Sequence, residues 1–184
     1  MFIDIFNTDK KYEIIYADPP WQFKVWSRKT GLQRSADSHY KTLSKENIQQ
    51  IPINKITNAN SVLFLWVTAP CFVEGMELIK KWGFTYKTVA FTWVKKNKIS
   101  DSLFWGMGYY TRSNAEYCLL ATKGKPLKRI NKGVHSVIVS KIREHSKKPD
   151  EARERIVQLF GKLPRIELFA RQHIDGWDCW GNEV

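Results

Sequence analysis

The sequence predicts an α/β fold in which buried strands alternate with helices. Two segments, Ile14-Ile15-Tyr16-Ala17 and Ser61-Val62-Leu63-Phe64-Leu65-Trp66-Val67, are apolar at consecutive rather than alternate positions, as strands covered on both sides are. A helical period separates such runs: Phe72, Met76, Leu78, Ile79 and Trp82 recur on one face before the next strand-like run begins at Tyr86. Both apolar runs stop abruptly at proline-containing turns, Asp18-Pro19-Pro20-Trp21 and Thr68-Ala69-Pro70. A chain of 184 residues that is 43% hydrophobic suits one domain, residues 1–184, with a substantial core.

The first strand ends at Asp18. Pro19 and Pro20 cannot donate to a ladder and fix two successive φ angles, so the chain leaves the sheet in an extended turn with carbonyls that accept. The carboxyl end of a central strand is where an open α/β sheet binds ligands. An acid, carbonyl acceptors and the Trp21 indole there suit a planar group bearing an amine; a plain turn with Trp21 in the core accounts for the same residues. Residues 22–37 show no period and read as a lid or substrate-contact loop, with Trp26 either a stacking group or folded onto the core. Ser44 starts a short helix that Pro52 ends.

After the strand at 61–67 and the helix from Phe72, Gly83 is a C-cap, and Tyr86 to Val94 forms a strand ending in Lys95-Lys96-Asn97-Lys98. Residues 102–115 are rich in aromatics and glycine and end in a cation at Arg112, a composition that suits nucleotide stacking or core packing equally. Glu116 to Thr122 is a further strand, turned by Lys123-Gly124-Lys125-Pro126, and Val137-Ile138-Val139 is an edge or short strand. Pro149, Asp150 and Glu151 open the last helix, with acids at the positive end of its dipole. Gly161 and Pro164 close it, and Arg165 to Ala170 is the final buried strand, with Arg171 and His173 just beyond its end.

The net charge of +12 is concentrated: residues 95–148 carry thirteen Lys and Arg against three Asp and Glu. That asymmetry points to a polyanionic partner, nucleic acid, over a merely solvated face. Three widely spaced cysteines without a C-x-x-C pair indicate neither a disulfide framework nor a metal site. Without a basic leader, a long apolar stretch or a glycine-rich phosphate loop, the expectation is a cytoplasmic protein that binds no membrane and has no phosphate-loop nucleotide site.

Four collinear blocks then carry a resemblance from about residue 13 onward: Asp18-Pro19-Pro20-Trp21, Leu63-Phe64-Leu65-Trp66-Val67-Thr68, Ser146-Lys147-Lys148-Pro149-Asp150-Glu151, and Ile166-Glu167-Leu168-Phe169-Ala170-Arg171-Gln172-His173. The chain resembles the MT-A 70 kDa family of S-adenosyl-L-methionine-dependent N6-adenine methyltransferases, in the format of its small prokaryotic and phage members. The resemblance implies a Rossmann-like methyltransferase fold, a mixed, mostly parallel sheet with helices on both faces, in circularly permuted motif order. It implies Asp18, Pro19, Pro20 and Trp21 as the catalytic motif, with Asp18 also at the cofactor. Lys148 would hold the methionyl carboxylate, Glu167, Leu168 and Phe169 the amino-acid end, Arg171 and His173 the ribose, and Asn182 and Glu183 the ribose and adenine. Trp21 would stack on the target base, Tyr40 would belong to a gating loop, and Arg112 and Glu116 would meet substrate. The basic positions Lys125, Lys128 and Arg129 would line the nucleic-acid path. Gln172, Ile174 and Glu183 depart from the proline, asparagine and glutamine common at those places. DNA is favoured over RNA, with specificity supplied by loops or a second subunit, and the partner expected besides nucleic acid is a second copy of the chain or that second subunit. A non-catalytic nucleic-acid-binding paralogue is the alternative of a different class, against which the intact Asp-Pro-Pro-Trp motif speaks.

Overall fold

The structure is a computed structural model and describes residues 1–21, 44–143 and 147–184. The strand that leads into the Asp-Pro-Pro-Trp turn is β1 (Tyr12–Ala17), an interior strand of the sheet. Beside β1 lies β2 (Thr57–Val67), pairing in parallel, with Ala17 against Leu65. On the other side lies β6 (Arg165–Leu168), also parallel, with Ala17 against Leu168. Outward from β2 come β4 (Glu116–Lys123), β3 (Thr85–Lys96) and β5 (Val137–Lys141); outward from β6 comes β7 (Asp178–Trp180). The order among the described residues is β5-β3-β4-β2-β1-β6-β7. Among the described strands only β4 runs against its neighbours; the others share one direction.

Because consecutive apolar residues point to opposite faces, the sheet is covered twice. Ile15, Leu63, Leu65, Leu119 and Ile166 pack on one face with residues of α1 (Lys45–Gln49), α2 (Ile53–Ile56) and α3 (Phe72–Lys81). Ile14, Tyr16, Val62, Phe64 and Cys118 pack on the other with Ala152, Ile156 and Phe160 of α4 (Asp150–Phe160). The connection into β2 thus crosses one face and the connection into β6 crosses the other. The carboxyl ends of β1 and β6 therefore flank the point where the winding reverses, the place where such sheets bind ligands.

The local signals behave as the sequence predicts. The Ser44 hydroxyl accepts the Asn47 N–H at 3.2 Å and caps α1. Gly83 at φ +78° terminates α3, and Gly161 at φ +77° terminates α4. Three features depart from expectation. Strand β2 begins at Thr57, four residues early, preceded by the short α2. Strand β6 stops at Leu168 because Phe169 takes φ +61°, which turns the chain out of the ladder. Strand β7 has no apolar run to announce it. It persists because Phe2 bridges to Cys179 on its outer side and the Tyr12 hydroxyl and Lys10 hold Asp178 at 2.8 and 3.0 Å. Among the described residues, no helix is long and apolar enough to cross a membrane.

Helix α3 sits tightly on β2. A Cβ placed on Gly75 would lie 2.5 Å from Val67 Cγ1, with Leu119 behind it. Gly75→Ala is therefore expected to lower stability by about 1–3 kcal/mol through overpacking, despite alanine's better helix propensity. An equilibrium denaturation midpoint at or above that of the parent chain would show that α3 shifts freely.

Candidate active site

At the end of β1 the Asp18 N–H reaches the Leu168 carbonyl at 3.5 Å, and the Trp21 N–H donates to the Pro19 carbonyl at 2.8 Å. The Trp21 indole is 9% exposed, and its Nε1–H donates to the Trp66 carbonyl at 2.8 Å. Trp66 in turn donates Nε1–H to the Tyr16 hydroxyl at 2.7 Å. The Asp-Pro-Pro-Trp turn is thus pegged to β2 by its own indole. The stacking role expected for Trp21 must coexist with this anchoring, because most of the ring lies in the core.

Four charges alternate across the strand ends. Lys148 Nζ donates to Asp18 Oδ2 at 2.8 Å and lies 3.3 Å from Glu116 Oε2, while Lys95 Nζ donates to Glu116 Oε1 at 2.5 Å. Lys148 is 8% exposed and lies over the Trp66 ring, 5.9 Å from its centroid. The topology explains the assembly. Since β4 alone runs backwards, its first residue, Glu116, reaches the same end of the sheet as the last residues of β1 and β3. Burial raises the Asp18 pKa above the usual carboxylate value; Lys148 pulls it back and Glu116 pushes it further up. Burial also works against an ionised Glu116, but the Lys148 and Lys95 ammonium groups outweigh it and hold its pKa below the ordinary value. Lys148 is held above its own ordinary value because the carboxylates of Asp18 and Glu116 outweigh its desolvation. Buried charges persist only when paired in this way.

A second buried pair lies one strand over. Arg153 of α4 donates from one nitrogen to both Glu167 oxygens, at 3.0 and 3.2 Å, and also pairs with Asp150. Glu167 is pushed up to about 7 by burial, against the pull of Arg153 and with a further push from Asp18. A carboxylate whose folded pKa exceeds its unfolded one contributes stability that is present below the unfolded value and lost as pH rises through the folded value. Stability is therefore expected to fall between about pH 4.5 and about pH 7 by this group. Glu167→Gln should flatten that slope in denaturation curves at pH 5 and pH 8; an unchanged slope would mean that Glu167 titrates normally.

The remaining predicted residues divide. Arg171 is among the charges acting on Asp18 and lies 3.6 Å from Glu183 across the mouth between β6 and β7. His173 Nδ1 is 3.1 Å from Cys179 Sγ, and Phe169 packs edge-on against Trp180 at 5.5 Å. Leu168 is fully buried, so only its backbone faces the site, and Asn182 is exposed after β7. Arg112 is exposed on the connection between β3 and β4. Tyr40 lies outside the described residues. Lys125, Lys128 and Arg129 are not brought to this end. The reversal of β4 carries the segment after it to the opposite end of the sheet, where the Lys125 N–H donates to Asn60 at 2.8 Å and the Ile130 N–H to Leu159 at 2.8 Å. Sequence reasoning did not single out Lys95, Trp66 or Arg153. Lys95 had a signal in its place at the charged end of β3, and Trp66 in its place within an apolar run; Arg153 had none.

Comparison with known proteins adds the chemistry. A sequence model of the MT-A70 family matches residues 12–183. The chain is 37% identical over 190 residues to the type II methyltransferase M.MunI of a Mycoplasma species, covering 95% of this chain and 78% of that protein. It is 32% identical over 179 residues to a putative N(6)-adenosine-methyltransferase MT-A70-like protein of Medicago truncatula, covering 95% of this chain and 26% of that one. To the human N(6)-adenosine-methyltransferase catalytic subunit METTL3 it is 30% identical over 178 residues, with 95% and 28% covered. The chain therefore spans most of the first relative and about a quarter of the plant and human ones.

Proposed function

Because the chain belongs to the MT-A70 family of methyltransferases, we propose that it transfers a methyl group from S-adenosyl-L-methionine to the N6 amino group of adenine in DNA, at the end of β1. The observation that carries the proposal is the placement of Asp18: an ion-paired carboxylate at the end of a central strand, followed at once by a proline turn pegged to the sheet. Adenine's amino lone pair is delocalised into its ring, so the site must fix that group with its hydrogens engaged and its lone pair aimed. The Asp18 carboxylate accepts one amino hydrogen. The Pro19 carbonyl uses one lone pair on Trp21 N–H and has a second for the other hydrogen. These acceptors gain strength as positive charge develops on the nitrogen, which favours the transition state over the bound base. With its pKa raised by burial, Asp18 is also a better proton acceptor than an exposed carboxylate, and Lys148 fixes its orientation.

The residues present fit the methyl donor. Lys148 offers an ammonium for a methionyl carboxylate, Glu167 a carboxyl for its amine, and Arg171, Asn182 and Glu183 polar groups for a ribose. Gly181 lets the segment after β7 close on Ala170: a Cβ there would lie 2.3 Å from the Ala170 carbonyl oxygen. When bound, the donor supplies an electrophilic methyl on a sulfonium.

DNA is preferred because identity and coverage are both greater for the type II methyltransferase than for the N(6)-adenosine methyltransferases. The names of the latter favour RNA as the second reading. Incubation with labelled S-adenosylmethionine and DNA or RNA of matched sequence, followed by nucleoside digestion, separates the two. Label is expected in N6-methyldeoxyadenosine; label in RNA alone would overturn the choice of DNA.

A further inference from the structure

The connection between β3 and β4 carries a surface that the transfer chemistry leaves unexplained. Among the described residues thirteen large apolar side chains are exposed, and six of them, Ile99, Leu103, Trp105, Met107, Tyr109 and Tyr110, fall in this one segment. Exposed apolar area concentrated in this way marks an interaction site. The segment is firmly built. Phe104 N–H donates to the Lys95 carbonyl at 2.9 Å, and Gly106 and Ser113 exchange N–H···O bonds at 2.7 and 3.2 Å. The Asn114 side chain accepts the Lys95 N–H and donates to the Lys95 carbonyl, both at 2.9 Å. A Cβ on Gly108 would lie 2.0 Å from the Thr111 carbonyl oxygen, so the chain doubles back within four residues. That turn leaves Tyr109 79% and Tyr110 96% exposed at the tip, their ring centroids 5.6 Å apart.

The base of this hairpin is wired to the site. Phe104 lies under Lys95, whose ammonium is 5.9 Å from the ring, and Lys95 leads through Glu116 and Lys148 to Asp18. Lys98 and Arg112 flank the apolar residues, and the one acid, Asp101, is taken up by Lys96 at 2.8 Å. Flat apolar rings framed by cations match stacked bases on a phosphate backbone. The reaction itself creates the need, since an adenine paired in a duplex cannot reach Asp18 without leaving the stack.

We propose that Tyr110, backed by Tyr109, is a duplex-opening wedge that enters the base stack and fills the gap left by the target adenine. The proposal rests on the reading of the substrate as duplex DNA. It requires that the tip matter most when the base must be extracted, and little when extraction is already done.

The test compares Tyr110→Ala, Tyr109→Ala/Tyr110→Ala and Tyr110→Phe on two duplexes carrying the mapped target sequence, one fully paired and one with an abasic site opposite the adenine. For the alanine variants kcat/KM is expected to fall about 10- to 100-fold on the paired duplex, the size of one base–aromatic stack, and less than about threefold on the abasic one. Tyr110→Phe should retain near-parental rates, and the fluorescence rise of 2-aminopurine at the target position on binding should shrink in the alanine variants. Equal losses on both duplexes, or none on either, would overturn the wedge. So would equal losses accompanied by dissociation of a dimer, which would make the hairpin a contact between two copies. A parent chain that leaves no N6-methyladenine in genomic DNA, so that no target sequence can be mapped, would instead defeat the DNA reading on which the wedge depends.

Discussion

Asp18→Ala is expected to lower methyl transfer by at least about 10²–10³-fold, the loss that follows removal of one preorganised partner of developing charge. The effect should fall on kcat, because the amino group gains positive charge only as the new bond forms. Nucleic-acid affinity should change little, since the basic surface that supplies it remains in place. The fold should survive as well: with Asp18 gone, Lys148 still faces Glu116 at 3.3 Å. Asp18→Asn is the sharper companion, because an amide of the same shape presents one acceptor and one donor and cannot take up a proton. Unaltered kcat in either variant would remove Asp18 from the chemistry.

Lys148→Met should produce the second large effect, on stability and activity together. It leaves Asp18 without its ion pair and Glu116 with Lys95 alone, at side-chain exposures of 17% and 13%. Breaking one side of a buried ion pair costs about 3–5 kcal/mol, a large share of a domain's total stability. The sign of its pH dependence follows from the same geometry. Without the ammonium the Asp18 and Glu116 pKa values rise, and a carboxylate with a raised folded pKa contributes stability at low pH that is lost as pH rises. The deficit relative to the parent chain should therefore be smaller near pH 5 than near pH 8. A deficit that grows on acidification would mean that the carboxylates do not depend on Lys148. Loss of S-adenosylmethionine binding, measured by calorimetry in a pH range where the variant is folded, is expected alongside.

Much of this was legible in the residues because local signals and tertiary roles agree along most of the chain. Consecutive apolar runs gave the buried strands, Ser44 and Gly83 gave helix ends, and Asp18 stood out as an acid followed by two prolines at the end of such a run. What stayed hidden was direction. Nothing in Glu116 to Lys123 tells that this strand runs against its neighbours, yet that reversal brings Glu116 to Asp18 and sends Lys125, Lys128 and Arg129 to the far end. The pairing of Lys95 with Glu116 was invisible for the same reason. Trp21 was equally ambiguous, since one indole can stack on a base or anchor a turn, and only the bond to the Trp66 carbonyl reveals the anchor. Strand β7 escaped notice because three residues without an apolar run carry no period, and its partners lie at the other end of the chain.

The central claim, that Asp18 and its ion-pair chain make this chain an adenine N6-methyltransferase, is tested most directly in a host lacking adenine methylation. The parent chain and Asp18→Ala are expressed at equal levels, and modified adenines are mapped across the genomic DNA. The parent chain is expected to leave N6-methyladenine at one recurring sequence, and Asp18→Ala to leave none. DNA marked equally in both cells would remove Asp18 from the chemistry, and DNA free of N6-methyladenine in both would contradict methyl transfer to DNA.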